Sequence, residues 1–117
     1  RFFVYYEEVD LSLRARRAGF RSYYLVEAEA CHVGGASTVH AGPKKLFYYL
    51  QSRLKYIKKH FRLGEYLAGF LLTAGAEFFL RTFRALGRGG REIQDTLVAY
   101  GMLWAWIIDQ AVGKRRS

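Results

Sequence analysis

"RFFVYYEEVDLSLRARRAGFRSYYLV", Arg1–Val26, is the stretch on which the fold turns. Arg1–Tyr6 is aromatic and β-branched with no breaker, which predicts a strand. Val9–Ala18 changes to helical spacing: Val9 and Leu13 share one face, and Leu11, Ala15 and Ala18 an adjoining one. Gly19 sits where a glycine just past a helix would end it. Phe20–Val26 alternates again and predicts a second strand. Glu7, Glu8 and Asp10 all fall at the start of the helix, where the helix dipole favours negative charge.

Outward from there, "CHVGGAST", Cys31–Thr38, reads as a turn, because Gly34 and Gly35 permit positive φ. Pro43 suits the first position of a helix. Leu46, Leu50, Leu54, Ile57 and Phe61 then form one apolar stripe at helical spacing, with lysines and arginines on the remaining surface. Tyr66–Leu80, "YLAGFLLTAGAEFFL", is apolar apart from Thr73 and Glu77, and falls short of the roughly 20 residues that span a bilayer. "GRGGR", Gly87–Arg91, predicts a hinge. Ile93–Val112 predicts a last helix carrying Trp104 and Trp106, with "KRRS" after it. The expected organisation is a mixed front part, residues 1–63, and a helical, membrane-interfacial back part, residues 64–117.

The 117 residues carry 19 Lys and Arg against 10 Asp and Glu, a net charge of +9. Such an excess favours an anionic partner: nucleic acid, anionic lipid or a phosphorylated ligand. Aromatic residues at 17% suit a bulky core or a surface at lipid headgroups. The single Cys31 excludes an intrachain disulfide and predicts a small packed hydrophobe. The first residue is Arg1 and the only methionine Met102, so the sequence reads as a piece of a longer protein. Nothing near its start has the pattern of a signal peptide.

The string "YYEEVDLSLRARRAGFRSYYLVEAEACHVGGAST" resembles the carboxyl half of the catalytic domain of inverting family-two glycosyltransferases, the bacterial rhamnosyltransferase-like and galactofuranosyltransferase-like enzymes above all. Their pattern runs aromatic, acid, acid, x, Asp, Leu, x, Leu, Arg, four residues, Gly; then a strand, an acid-Ala pair, a histidine, glycines and a serine. The likeness covers about Arg1–Phe61. It implies an α/β fold, the C-terminal part of a GT-A (Rossmann-like) domain, followed by amphipathic, membrane-associated helices. Glu8 matches the family's general base, usually an aspartate one methylene shorter. Glu7, Asp10 and Arg14 match supporting positions, and His32 matches a divalent-metal ligand. Gly34, Gly35 and Ser37 fall in the turn near the donor phosphates, and Glu27 on the acid of the acid-Ala pair.

The chemistry accounts for those residue types. An acceptor hydroxyl attacking an anomeric carbon must lose its proton, and a carboxylate within reach can take it. A departing nucleoside diphosphate gathers charge that Mn²⁺ or Mg²⁺ would neutralise. Arg14, four residues beyond Asp10, is spaced to pair with it. The resemblance therefore implies transfer from a nucleotide sugar to a glycan or lipid-linked acceptor at the cytoplasmic face of a bacterial inner membrane, on an anionic surface. The family's Asp-x-Asp motif and nucleotide-binding strands would lie upstream, so this stretch alone is expected to be inactive. His40 and His60 match nothing. The competing reading is a basic helical module that binds membrane or nucleic acid without catalysis. Its acid cluster disfavours nucleic acid.

Overall fold

The computed structural model describes residues 2–31, 41–87 and 89–113. Five α-helices follow one another: α1 (Glu7–Arg17), α2 (Pro43–His60), α3 (Leu63–Leu71), α4 (Glu77–Leu86) and α5 (Gly90–Gly113), with a π-helical turn at Leu72–Ala76 between α3 and α4. Helix α1 has three acids in its first turns and Arg14, Arg16 and Arg17 in its last, an order that suits the dipole at both ends. It closes in a Schellman motif: Gly19 N–H donates to Arg16 O at 3.1 Å and Phe20 N–H to Ala15 O at 3.0 Å. Gly19 takes the left-handed conformation (φ 89°) that this motif requires. Pro43 opens α2 at its first position, and Glu65 accepts a 2.8 Å bond from Arg62 N–H at the start of α3.

Helix α5 packs against both α2 and α4, and α3 lies on α2. The core is Phe47, Leu50 and Leu54 from α2 with Ala99, Tyr100 and Leu103 from α5. The stripe read from sequence thus supplies Leu50 and Leu54, with Leu46 packed against them, while Phe61 lies beyond the helix and is exposed. Gly69 lets α3 approach α2 closely; a Cβ there would stand 2.9 Å from Ile57 Cδ1. Tyr100, buried on α5, donates its hydroxyl hydrogen to Thr73 O at 3.2 Å, satisfying a carbonyl of the π turn.

The α/β expectation is overturned: among the described residues there is no strand and no sheet. A strand needs a ladder partner, and none is offered among the described residues. Residues 2–6 instead bend across α2. Phe3 meets Tyr48 (ring centroids 5.1 Å), Tyr5 meets Tyr49 (5.9 Å), Tyr6 meets Tyr56 (5.4 Å), and Ser52 donates to Val4 O at 2.7 Å. Tyr5 and Tyr6 both have φ 65°, which no extended strand allows. Residues 20–26 are exposed on both sides of the alternation, so β-propensity there finds no face to bury. Cys31 is exposed rather than packed.

The second departure lies in the back part. Leu63–Leu86 runs as one helical rod of 24 residues, longer than the apolar run read from sequence, and is long and apolar enough to cross a membrane. Its polarity is inverted. Glu77 points inward to Arg53 and Arg81, while Leu63, Leu67, Leu71, Leu72, Phe79, Leu80, Phe83 and Leu86 point out and are exposed. Glu77 therefore does not interrupt the apolar face.

Leu103, on α5, is wholly buried in the core shared with α2. Leu103→Ala is expected to cost about 2–5 kcal/mol in urea unfolding. Leu72→Ala, on the exposed face, is expected to stay within about 0.5 kcal/mol. Equal losses at the two positions would contradict this core.

Candidate functional site

The acid cluster at the start of α1 divides into two kinds of carboxylate. Asp10 is the only described residue of the helix that is buried. Its Oδ1 accepts from Lys59 Nζ at 2.6 Å and from His60 Nε2 at 2.5 Å; its Oδ2 accepts from Lys59 Nζ at 2.9 Å and from Arg14 Nε at 3.0 Å. The Lys59 ammonium first, then His60 and Arg14, hold the Asp10 carboxyl well below the usual carboxylate range, against the opposing effect of burial. Arg14 stands at the spacing expected for the pair.

His60 is almost fully buried, with 3% of its side chain exposed, and its tautomer follows from its neighbours. Arg17 Nη1 lies 3.1 Å from Nδ1 and can only donate, so Nδ1 accepts. Nε2 then carries the hydrogen and donates it to Asp10. The hydrogen-bonded chain runs Arg17 to His60 to Asp10, joining both ends of α1 to the last turn of α2. Tyr56 packs in tilted contact with the His60 ring, centroids 4.8 Å apart, and with Tyr6 at 5.4 Å, which helps hold the imidazole.

Glu7 and Glu8 are exposed and, among the described residues, form no ion pair. They follow directly on Tyr5 and Tyr6, two successive left-handed residues of a kind that costs roughly 1–2 kcal/mol each. The ring contacts of residues 3–6 with α2 hold this conformation. The sharp reversal it produces starts α1 at Glu7, with the main-chain bond from Asp10 N–H to Tyr6 O at 2.8 Å.

A cleft of about 770 Å³ lies alongside, lined by Phe2, Phe3, Glu7, Asp10 and Arg14 on one wall and Lys55, Lys58 and Lys59 on the other. The structure thus brings together Glu7, Asp10 and Arg14. Glu8 is one residue from the cleft and not part of its lining. His32, Gly34, Gly35 and Ser37, and with them the expected metal ligand and phosphate turn, lie outside the described residues. Among the described residues no group of three or more His, Cys, Asp or Glu is arranged to hold a metal ion. Asp10, the most buried acid, already has three cationic or N–H partners, so these residues do not make a metal centre by themselves.

Two residues of the cluster were not legible as site residues. Lys59 reads as part of a solvated basic face and His60 as an unmatched histidine, 49 and 50 positions from Asp10. Helical periodicity carries no signal at that separation. No family model matches the chain, and no curated protein or solved structure matches it.

The clasp gives a signed pH expectation. A carboxyl held low in the folded state stabilises above the unfolded pKa of about 3.9, and that stabilisation fades as pH falls toward the folded value. Asp10→Asn should therefore unfold at lower urea concentration than wild type at pH 7, with the gap closing below about pH 4. A gap that stays constant into acid would show that Asp10 is not held by charge.

Proposed function

We propose that this chain forms the acceptor-side part of an inverting glycosyltransferase that moves a sugar from a nucleotide-sugar donor to a glycan or lipid-linked acceptor. The donor-binding residues would come from the rest of a longer protein. The observation that carries the reading is the split among the acids. Asp10 is buried and fully engaged, whereas Glu7 is exposed in the lining of the cleft and Glu8, its neighbour in sequence, is exposed outside that lining. A structural carboxylate that anchors the helix leaves two others able to accept a proton. The order of residues from Tyr5 to Thr38 supplies the reaction class by resemblance, and the fold does not supply it.

In this reading Glu8 takes the proton of the acceptor hydroxyl as the new bond to the anomeric carbon forms and the nucleoside diphosphate leaves with inversion. The basic wall of Lys55, Lys58 and Lys59 raises the local concentration of anionic substrate. His32 belongs to the same proposal as a ligand of a divalent cation, Mn²⁺ or Mg²⁺. No step is assigned to that ion. The outward apolar face of Leu63–Leu86 supports work on an anionic membrane surface, at the cytoplasmic side of a bacterial inner membrane, with the helix lying in the interface.

In the full-length protein, Glu8→Gln is expected to lower kcat by about 10²-fold or more while donor affinity holds. Glu7→Gln should cost less. The reverse order would move the base to Glu7, the acid that lines the cleft, and unchanged turnover in both would remove the acid pair from the chemistry.

The membrane part is tested separately by flotation with vesicles containing anionic lipid. Leu71→Asp with Phe79→Asp should abolish flotation at low salt, each charge costing about 2.5–3.5 kcal/mol if buried in lipid. Retained flotation would exclude this face as the contact.

A further inference from the structure

Helix α5 carries an apolar face that the core does not use. Its buried side is Thr96, Ala99, Tyr100 and Leu103. On the opposite side Leu97, Val98, Trp104 and Ile108 are exposed at helical spacing, with Gly101 and Ala105 between them. From Leu97 to Ile108 no exposed position is polar. The rod Leu63–Leu86 has the same property from Leu67 to Phe83.

The two faces join. Helix α2 packs on α3 and on α5, and α5 packs on α4, so α2, the rod and α5 touch pairwise. In a triangle of this kind the rod and α5 together form the side opposite α2. Trp104, at the edge of the α5 stripe, meets Phe70 of α3 edge to face at 6.0 Å and closes the seam.

We propose that this two-helix face inserts flat into one leaflet of an anionic membrane, with α5 as the second embedded helix, and that the rod lies in the leaflet rather than crossing it. This placement rests on the membrane contact proposed above and uses none of the transfer chemistry. An apolar surface of this extent marks a contact with protein or with lipid. Charge selects lipid. Arg62 directly precedes the rod, Arg84 follows Leu80 by four residues at the edge of the face, and Arg91 begins α5; all three are exposed. Arginines so placed can lay their stems along hydrocarbon while their guanidinium groups reach headgroup phosphates.

The rod is long enough to cross, but it does not stand alone. Arg53 of α2 reaches Glu77, near the middle of the rod. An upright rod would hold that contact at the depth of the hydrocarbon, and with it Lys55 and the charged helix α1 clasped to α2. Ionised groups at that depth are strongly disfavoured. A flat rod leaves all of them on the water side. Charged residues also stand at the outer ends of the hairpin and at its turn, Glu65 and Asp109 at the one, Arg84 and Arg91 at the other, so neither end is suited to dip into the membrane.

The test is spin labelling of the full-length protein at exposed positions, Leu72→Cys and Phe79→Cys on the rod and Leu97→Cys and Ile108→Cys on α5, each with Cys31→Ser. Depth is read from collisions with oxygen and with a water-soluble nickel chelate, on vesicles of phosphatidylcholine and phosphatidylglycerol in equal parts. All the labels are expected to become accessible to oxygen and shielded from nickel, at a common depth of about 5–10 Å. Labels at 72 and 79 that differ in depth by about 10 Å would mean an upright rod and overturn the proposal. Labels at 97 and 108 that stay open to nickel while 72 and 79 are embedded overturn it too, and leave the membrane contact of the rod standing. Labels shielded from both reagents without vesicles would show a second copy or another protein on the face, and overturn it as well. If no label changes and the protein does not float, the membrane contact itself fails and the flat insertion with it. Binding to pure phosphatidylcholine vesicles is expected to be at least about tenfold weaker, and equal binding contradicts the anionic leaflet.

Discussion

The buried carboxylate of Asp10 is the interaction on which the front of the molecule depends. Helix α1 has no apolar face turned to the core; Asp10 is its only buried residue among those described. What attaches it to α2 is a pair of charge-assisted hydrogen-bond donors, Lys59 and His60, while Arg14 of α1 itself braces the same carboxylate. Bonds of this kind are short and directional, so they fix an angle as well as a contact. The left-handed pair Tyr5 and Tyr6, wedged against α2 by aromatic contacts, fixes the other end of the same turn. Between them the two exposed glutamates have little freedom to move relative to the basic wall of α2.

The division of labour among three neighbouring acids follows from burial. A carboxylate ringed by cations stays ionised and does not take up a proton near neutrality, so it is suited to anchoring and unsuited to acid–base work. Glu7 and Glu8 form no such ion pairs among the described residues.

Much of the helical framework was legible in the sequence, for local reasons. Gly19 ends α1 because glycine freely takes positive φ, Pro43 begins α2 because its ring fixes φ near the helical value, and the spacing of Leu46, Leu50 and Leu54 marks the face that enters the core. The strands were misread because Phe2–Tyr6 and Phe20–Val26 have the composition of strands without a partner to pair with, and composition cannot report a missing ladder. Glu77 was read as an interruption of an apolar run; in three dimensions it turns inward to Arg53 and Arg81 and leaves the outer face unbroken. Asp10's partners on α2 were invisible because no periodic pattern reaches across 49 residues.

Behind the clasp, the rod Leu63–Leu86 turns Glu77 toward Arg53 of α2 and leaves a row of leucines and phenylalanines facing away. The lysines of α2 and Glu7 of α1 line the same cleft. All of it presumes that α1 is held where Asp10 puts it. Carbon-detected NMR titration of the Asp10 carboxyl, with nitrogen shifts of His60 read in the same sample, tests this most directly. The account predicts a carboxyl still ionised at about pH 3 and a His60 ring carrying its hydrogen on Nε2 at neutral pH. A carboxyl that titrates near 4, with His60 free to exchange tautomers, would contradict it.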